Sequence, residues 1–93
     1  MEVIMRATKR DTTIYAIKEA LAFIKESWGN SWEGSFHDFM ANVISDNRVS
    51  SYDVEAVLRT HTKDNPIKGF EGLSVMRGAP RQLQHYKIRY KPQ

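Results

Sequence analysis

The residues able to do chemistry in this chain are few and scattered. His37, His61 and His85 are its three histidines, and no two have the close helical spacing of a local metal motif. His37 beside Asp38 is the best ligand pair, and it is a weak one, so no metal site is expected. Cysteine is absent, which excludes a disulfide framework, a thiolate zinc site and a cysteine nucleophile. The five glycines are spread along the chain and form no phosphate-cradling loop. No serine has the setting of a nucleophile elbow, and the carboxylates are distributed through loops and exposed helix faces. These residues point to a binding protein with no cofactor, and not to an enzyme.

The cations are more informative. Lys plus Arg exceed Asp plus Glu by 14 to 11, a mild excess. Residues 1–60 hold seven basic and nine acidic side chains, a net of −2, whereas residues 61–93 hold seven basic and two acidic, a net of +5. Such a lopsided field is the usual footprint of a surface that meets a polyanion. A solubilising face would give the same numbers, so position has to decide. Arg77 and Arg81 flank a Gly78-Ala79-Pro80 turn, and Lys87, Arg89 and Lys91 alternate with Tyr86, Ile88 and Tyr90. Alternation of this kind puts the three cations on one face of a strand.

The elements that must hold these residues fit in one domain spanning 1–93, of which residues 1–11 are a lead-in arm or a short strand. At 93 residues and 10.8 kDa the chain can build a single core. No run of apolar residues is long enough to span a membrane, and no secretory signal is expected at residues 1–11. The lack of cysteine suits a reducing cytosol, so the expected location is cytoplasmic.

Helix one is expected from Asp11, Thr12 or Thr13 to Trp28, with Ile14, Ile17, Leu21, Ile24 and Trp28 on one face widened by Ala20 and Phe23. Helix two starts at Ser35 with a capping-box-like Ser35…Asp38 spacing and buries Phe36, Phe39, Met40, Val43 and Ile44 before Ser45-Asp46-Asn47 ends it. Helix three is capped by Ser50 or Ser51, turns Val54, Val57, Leu58 and His61 inward, and is closed by Asn65-Pro66. Beyond Pro66 the period drops to two. A short strand at Leu73–Met76, a turn at 77–81 and a last strand from Leu83 to Tyr90 make a hairpin.

This order of a long helix, two short helices around the three-residue turn Asn47-Arg48-Val49, and a C-terminal hairpin resembles the winged helix-turn-helix superfamily over roughly residues 12–91. The likeness rests on element order; Trp32-Glu33-Gly34 falls where such domains often place a third strand. The resemblance implies an α+β fold, a three-helix helix-turn-helix core followed by a β-hairpin wing. It also implies a recognition helix in the major groove of double-stranded DNA and a wing on the backbone or minor groove. Here the recognition helix is Ser51 to Lys63, whose candidate contacts are Ser51, Tyr52, Glu55, Arg59, Thr60, Thr62 and Lys63. The wing contacts are Arg77, Arg81, Lys87, Arg89 and Lys91. Arg59 can fork onto a guanine edge, or it can form a surface salt bridge with Glu55 at the i, i+4 spacing.

The leading expectation is therefore a small sequence-specific DNA-binding protein, a transcriptional regulator of the compact size found in phages, plasmids and viruses. The rival is a winged-helix adaptor or inhibitor that binds a polymerase, nuclease or replication protein. Asp53 and Glu55 on the would-be recognition helix favour the rival; the basic hairpin favours DNA. RNA binding through stacked tyrosines is a third reading, which Tyr86 and Tyr90 oppose because they alternate with the cations. Helix 12–28 offers a homodimer surface, and Trp32 either packs under helix two or stands exposed as a partner anchor. Lysines on the last strand could also serve only to keep a sheet edge from pairing.

Overall fold

Thr8 and Asp11 start the first helix. The Asp11 amide donates to Thr8 Oγ1 at 3.0 Å, and the Thr8 amide donates to Asp11 Oδ2 at 3.2 Å. This reciprocal pair satisfies N–H groups that would otherwise be orphaned at a helix start. α1 accordingly runs Lys9–Ser27, beginning ahead of the expected cap, and Thr13 lies inside it with its hydroxyl donated to the Lys9 carbonyl. The structure is a computed structural model that describes residues 8–27, 31–44, 48–77 and 86–92. Trp28 and the Val3–Met5 arm or strand lie outside the described residues.

The remaining elements are β1 (Trp32–Ser35), α2 (Phe36–Asn42), α3 (Ser51–Thr60), β2 (Leu73–Arg77) and β3 (Tyr86–Tyr90). The fold is α+β, with three helices and a three-stranded antiparallel sheet of order β1-β3-β2. Tyr90 stands between Trp32 and Leu73, Arg89 between Glu33 and Ser74, and Ile88 between Gly34 and Val75. β3 is thus the central strand, paired on both sides. Its lysine and arginine do not guard an edge, and that reading of them is corrected.

Ile17, Leu21 and Ile24 of α1 meet Phe39, Val54, Val57, Leu58, Phe70 and Ile88 in one core. Each such side chain contributes roughly 1.5–3 kcal/mol on burial, which lets a chain without disulfides hold together. Trp32 is buried, with its ring centroid 5.6 Å from that of Phe39, so it packs under α2 and is no exposed anchor. Its indole crosses Gly34, where an added Cβ would come within 2.8 Å of the ring. Gly72, at φ +89°, brings its backbone against the Lys91 carbonyl and accepts the Lys91 amide at 3.0 Å, tying the start of β2 to the end of β3.

Several boundaries differ from the sequence expectation. Phe23 is 44% exposed and does not widen the buried face of α1, and Ile14 is only partly buried. α2 stops at Asn42, so Val43 and Ile44 bury their side chains from the connection that follows. That connection spans residues 43–50, longer than the expected three-residue turn. α3 stops at Thr60, well short of Asn65-Pro66. His61 turns extended there (φ −86°, ψ 108°), and the Thr62 amide donates to the Asn65 carbonyl instead of continuing the helix. Among the described residues no helix is long and apolar enough to cross a membrane.

Candidate nucleic-acid interface

Ser50 builds α3 from its first residue. Its hydroxyl accepts the Asp53 amide at 3.2 Å, and its own amide donates to Asp53 Oδ2 at 3.1 Å, a complete capping box. Asp53 also meets Lys9 Nζ at 3.6 Å. The bond from the Ser50 backbone, then that from its side chain, holds the Asp53 carboxyl below its ordinary range, with Lys9 adding to the effect. The carboxylate that argued against a nucleic-acid surface is therefore occupied with starting the helix.

Glu55 is turned inward. Its side chain is 6% exposed, while that of Arg59 is 62% exposed. Arg59 donates to Glu55 from Nε (3.1 Å to Oε1) and from Nη2 (2.7 Å to Oε1, 2.8 Å to Oε2), and the buried Tyr86 hydroxyl donates to Oε1 at 3.0 Å. These bonds make Arg59 hold its proton more tightly than an ordinary arginine, first through Glu55 and, more weakly, through Tyr86. The i, i+4 salt bridge exists, but its carboxylate is buried. Glu55 sits in the core and not on the groove-facing side.

Tyr52, Ala56 and Arg59 recur at helical spacing and form the outer face of α3, with Tyr52 77% exposed and Ser51 exposed beside it. Thr60 is exposed, but its hydroxyl donates to the Val57 carbonyl at 2.8 Å and accepts from Arg10 Nη2 at 3.1 Å. Thr62 and Lys63 are exposed in the turn after the helix, outside the element to which they were assigned. The first turn of α1 lies alongside α3. Lys9, Arg10 and Thr13 face Asp53, Ala56 and Val57 across a groove of about 260 Å³. Sequence reasoning missed Lys9 and Arg10 on this flank, although the Thr8…Asp11 spacing would have placed both in the first turn of a helix.

The wing residues divide differently. Lys87 and Arg89 are exposed on β3, and both reach Glu33 Oε1 on β1, at 3.0 and 3.2 Å. The bond from Lys87, then that from Arg89, pulls the Glu33 carboxyl below its ordinary range. Lys91 is exposed just past the strand. Arg77 ends β2 opposite Tyr86. Arg81 and the turn from Gly78 to Pro80 lie outside the described residues.

His61 is buried, and both its ring nitrogens are engaged. Nδ1 accepts the Ile67 amide at 2.9 Å, so Nε2, 3.0 Å from the Leu73 carbonyl, carries the proton and donates. It pins the loop before β2. Among the described residues no three side chains of the ligating types gather around a metal position. Comparison with family models, curated proteins and solved structures finds no match.

Proposed function

We propose that this protein binds double-stranded DNA as a winged helix-turn-helix domain, with α3 in the major groove and the β2–β3 hairpin on the backbone. The observation that carries the reading is the outer flank of α3. Its two carboxylates are withdrawn, Asp53 into the capping box and Glu55 into the core, while Arg59, Lys63, Lys9 and Arg10 stay exposed along and beside it. The element order, with β1 ahead of α2 and β3 central, is the one the resemblance implies, and it supports the same conclusion. A transcriptional regulator, read by sequence through α3, is the role that suits a domain with these parts; the reaction-free chemistry of its surface suits binding and not catalysis.

A second reading is favoured by Tyr52 and Glu33. Exposed tyrosines anchor protein interfaces, and Glu33 already draws on two of the wing cations. An adaptor that binds a protein partner through α3 would use both features. The deciding experiment is a salt titration of binding to an unrelated duplex. DNA binding through several phosphate contacts requires log K to fall steeply and linearly with log salt. No binding even at low salt removes the DNA reading and leaves the adaptor.

A further inference from the structure

Glu55 is a buried carboxylate in a domain that has no catalytic use for one. Burying a charge is costly, and apolar residues in place of a buried ion pair often leave a fold equally stable or more so. The core around it is apolar: Val54, Val57, Leu58 and Ile88 are all buried. What Glu55 does instead is hold a neighbour. Arg59 presents the edge made by Nε and Nη2 to the carboxylate, and three bonds of 2.7–3.1 Å fix that edge against the helix. A guanidinium has five donors in a rigid fork, so holding one edge orients the rest. With Glu55 6% exposed and Arg59 62% exposed, the inner edge lies in the core and the outer end of the fork reaches solvent. That end lies on the face that also carries Tyr52 and Ala56.

We propose that Glu55 is a positioning residue that sets the Arg59 guanidinium for end-on pairing with a guanine in the major groove, and that Tyr86 ties this carboxylate to the hairpin. The proposal rests on the DNA reading given above. Guanine presents O6 and N7 side by side to two parallel donors, and a fork already fixed loses less freedom on pairing than a mobile one. Tyr86 opens β3, so its 3.0 Å bond to Glu55 also joins the arginine on α3 to the root of the wing. One carboxylate thereby fixes the relative placement of the two surfaces that would touch DNA.

The test is to select duplexes from a pool with a randomised centre. Affinities for the selected duplex and for a random duplex are then compared at one salt concentration. Arg59→Ala and Glu55→Gln are each expected to weaken the selected duplex by roughly five- to a hundredfold, the random duplex far less, and to erase a guanine preference at one position. Arg59→Lys should keep the random-duplex affinity without restoring that preference. Tyr86→Phe, which leaves the ion pair, should give a smaller loss of the same kind. Adding Glu55→Gln to Arg59→Ala should cost nothing further. Equal losses on both duplexes with Glu55→Gln, or a guanine preference that survives it while Arg59→Ala abolishes it, would overturn the positioning role. If Glu55→Gln does not fold, an unchanged guanine preference in Tyr86→Phe overturns the link to the wing, and an unchanged one in Arg59→Lys overturns the reading of guanine. A parent protein that binds all duplexes equally overturns this proposal and keeps the DNA reading; one that binds none removes both.

Discussion

The outer face of α3 and the outer face of the sheet each display cations beside a carboxylate, and the carboxylates differ in burial. On α3, Arg59 grips Glu55, which is buried and takes a further bond from Tyr86. On the sheet, Lys87 and Arg89 share Glu33, which is exposed to water. Both arrangements would read as surface salt bridges from spacing alone. The buried one fixes a geometry, because removing a partner leaves a desolvated charge in the core. The exposed one is a screened, interchangeable contact, since water replaces either cation at little cost. A cation tied to a buried anion is suited to reading a shape; cations around a solvated anion are suited to neutralising a backbone.

The largest effect should come from the packing that both faces share. Leu58→Ala removes a fully buried side chain behind α3, and should destabilise the domain by about 2–5 kcal/mol in a denaturant melt. An unchanged midpoint would mean that neither face is held as described. Next, Tyr86→Phe should cost about 1.5–3 kcal/mol, the worth of a bond to a charged acceptor. Glu33→Gln, tested in parallel, should leave the midpoint where it was. Equal shifts in the two variants would erase the distinction between the faces.

Salt dependence probes the other half of the contrast. Replacing Arg77, Arg81, Lys87 and Arg89 by alanine should weaken binding to every duplex and flatten the salt slope by about one unit per lost phosphate contact. A slope identical to that of the parent takes the hairpin out of the interface. The smallest effect is expected in acid. Asp53 and Glu33 have carboxyls depressed in the folded state, so each adds stability above its unfolded pKa and loses it as pH falls through the folded value. Stability should hold from neutral pH down to about pH 5 and decline below about pH 4. Ser50→Ala, which costs about 1 kcal/mol as a lost cap, should make that decline shallower because Asp53 loses its largest source of depression. A decline of unchanged steepness would place the acid sensitivity elsewhere.

Much of this architecture is legible in the order of residues. The apolar period of 3.6 in Ile17, Leu21 and Ile24, the Ser35…Asp38 and Ser50…Asp53 spacings, and the alternation from Tyr86 to Tyr90 each specify an element locally, and each element is present. Boundaries were harder wherever a long-range partner ended the element. α3 looks able to run on to Asn65-Pro66, yet it stops where His61 is drawn to Ile67 and Leu73. Lys9 and Arg10 looked like lead-in residues because their place beside α3 depends on how α1 packs.

By itself the sequence determined the period of each helix, the face of β3 that carries cations, and the excess of positive charge in the last third of the chain. All of these follow from neighbours a few residues apart. Only the tertiary structure decided that β3 lies in the middle of its sheet, that Asp53 is absorbed by a cap while meeting Lys9, and that Glu55 turns inward to Tyr86, 31 residues away. A carboxylate's meaning depends on its solvation and partners, and both are set by segments distant in the chain. Spacing can propose that Glu55 meets Arg59, but packing fixes which end of that pair is left in water.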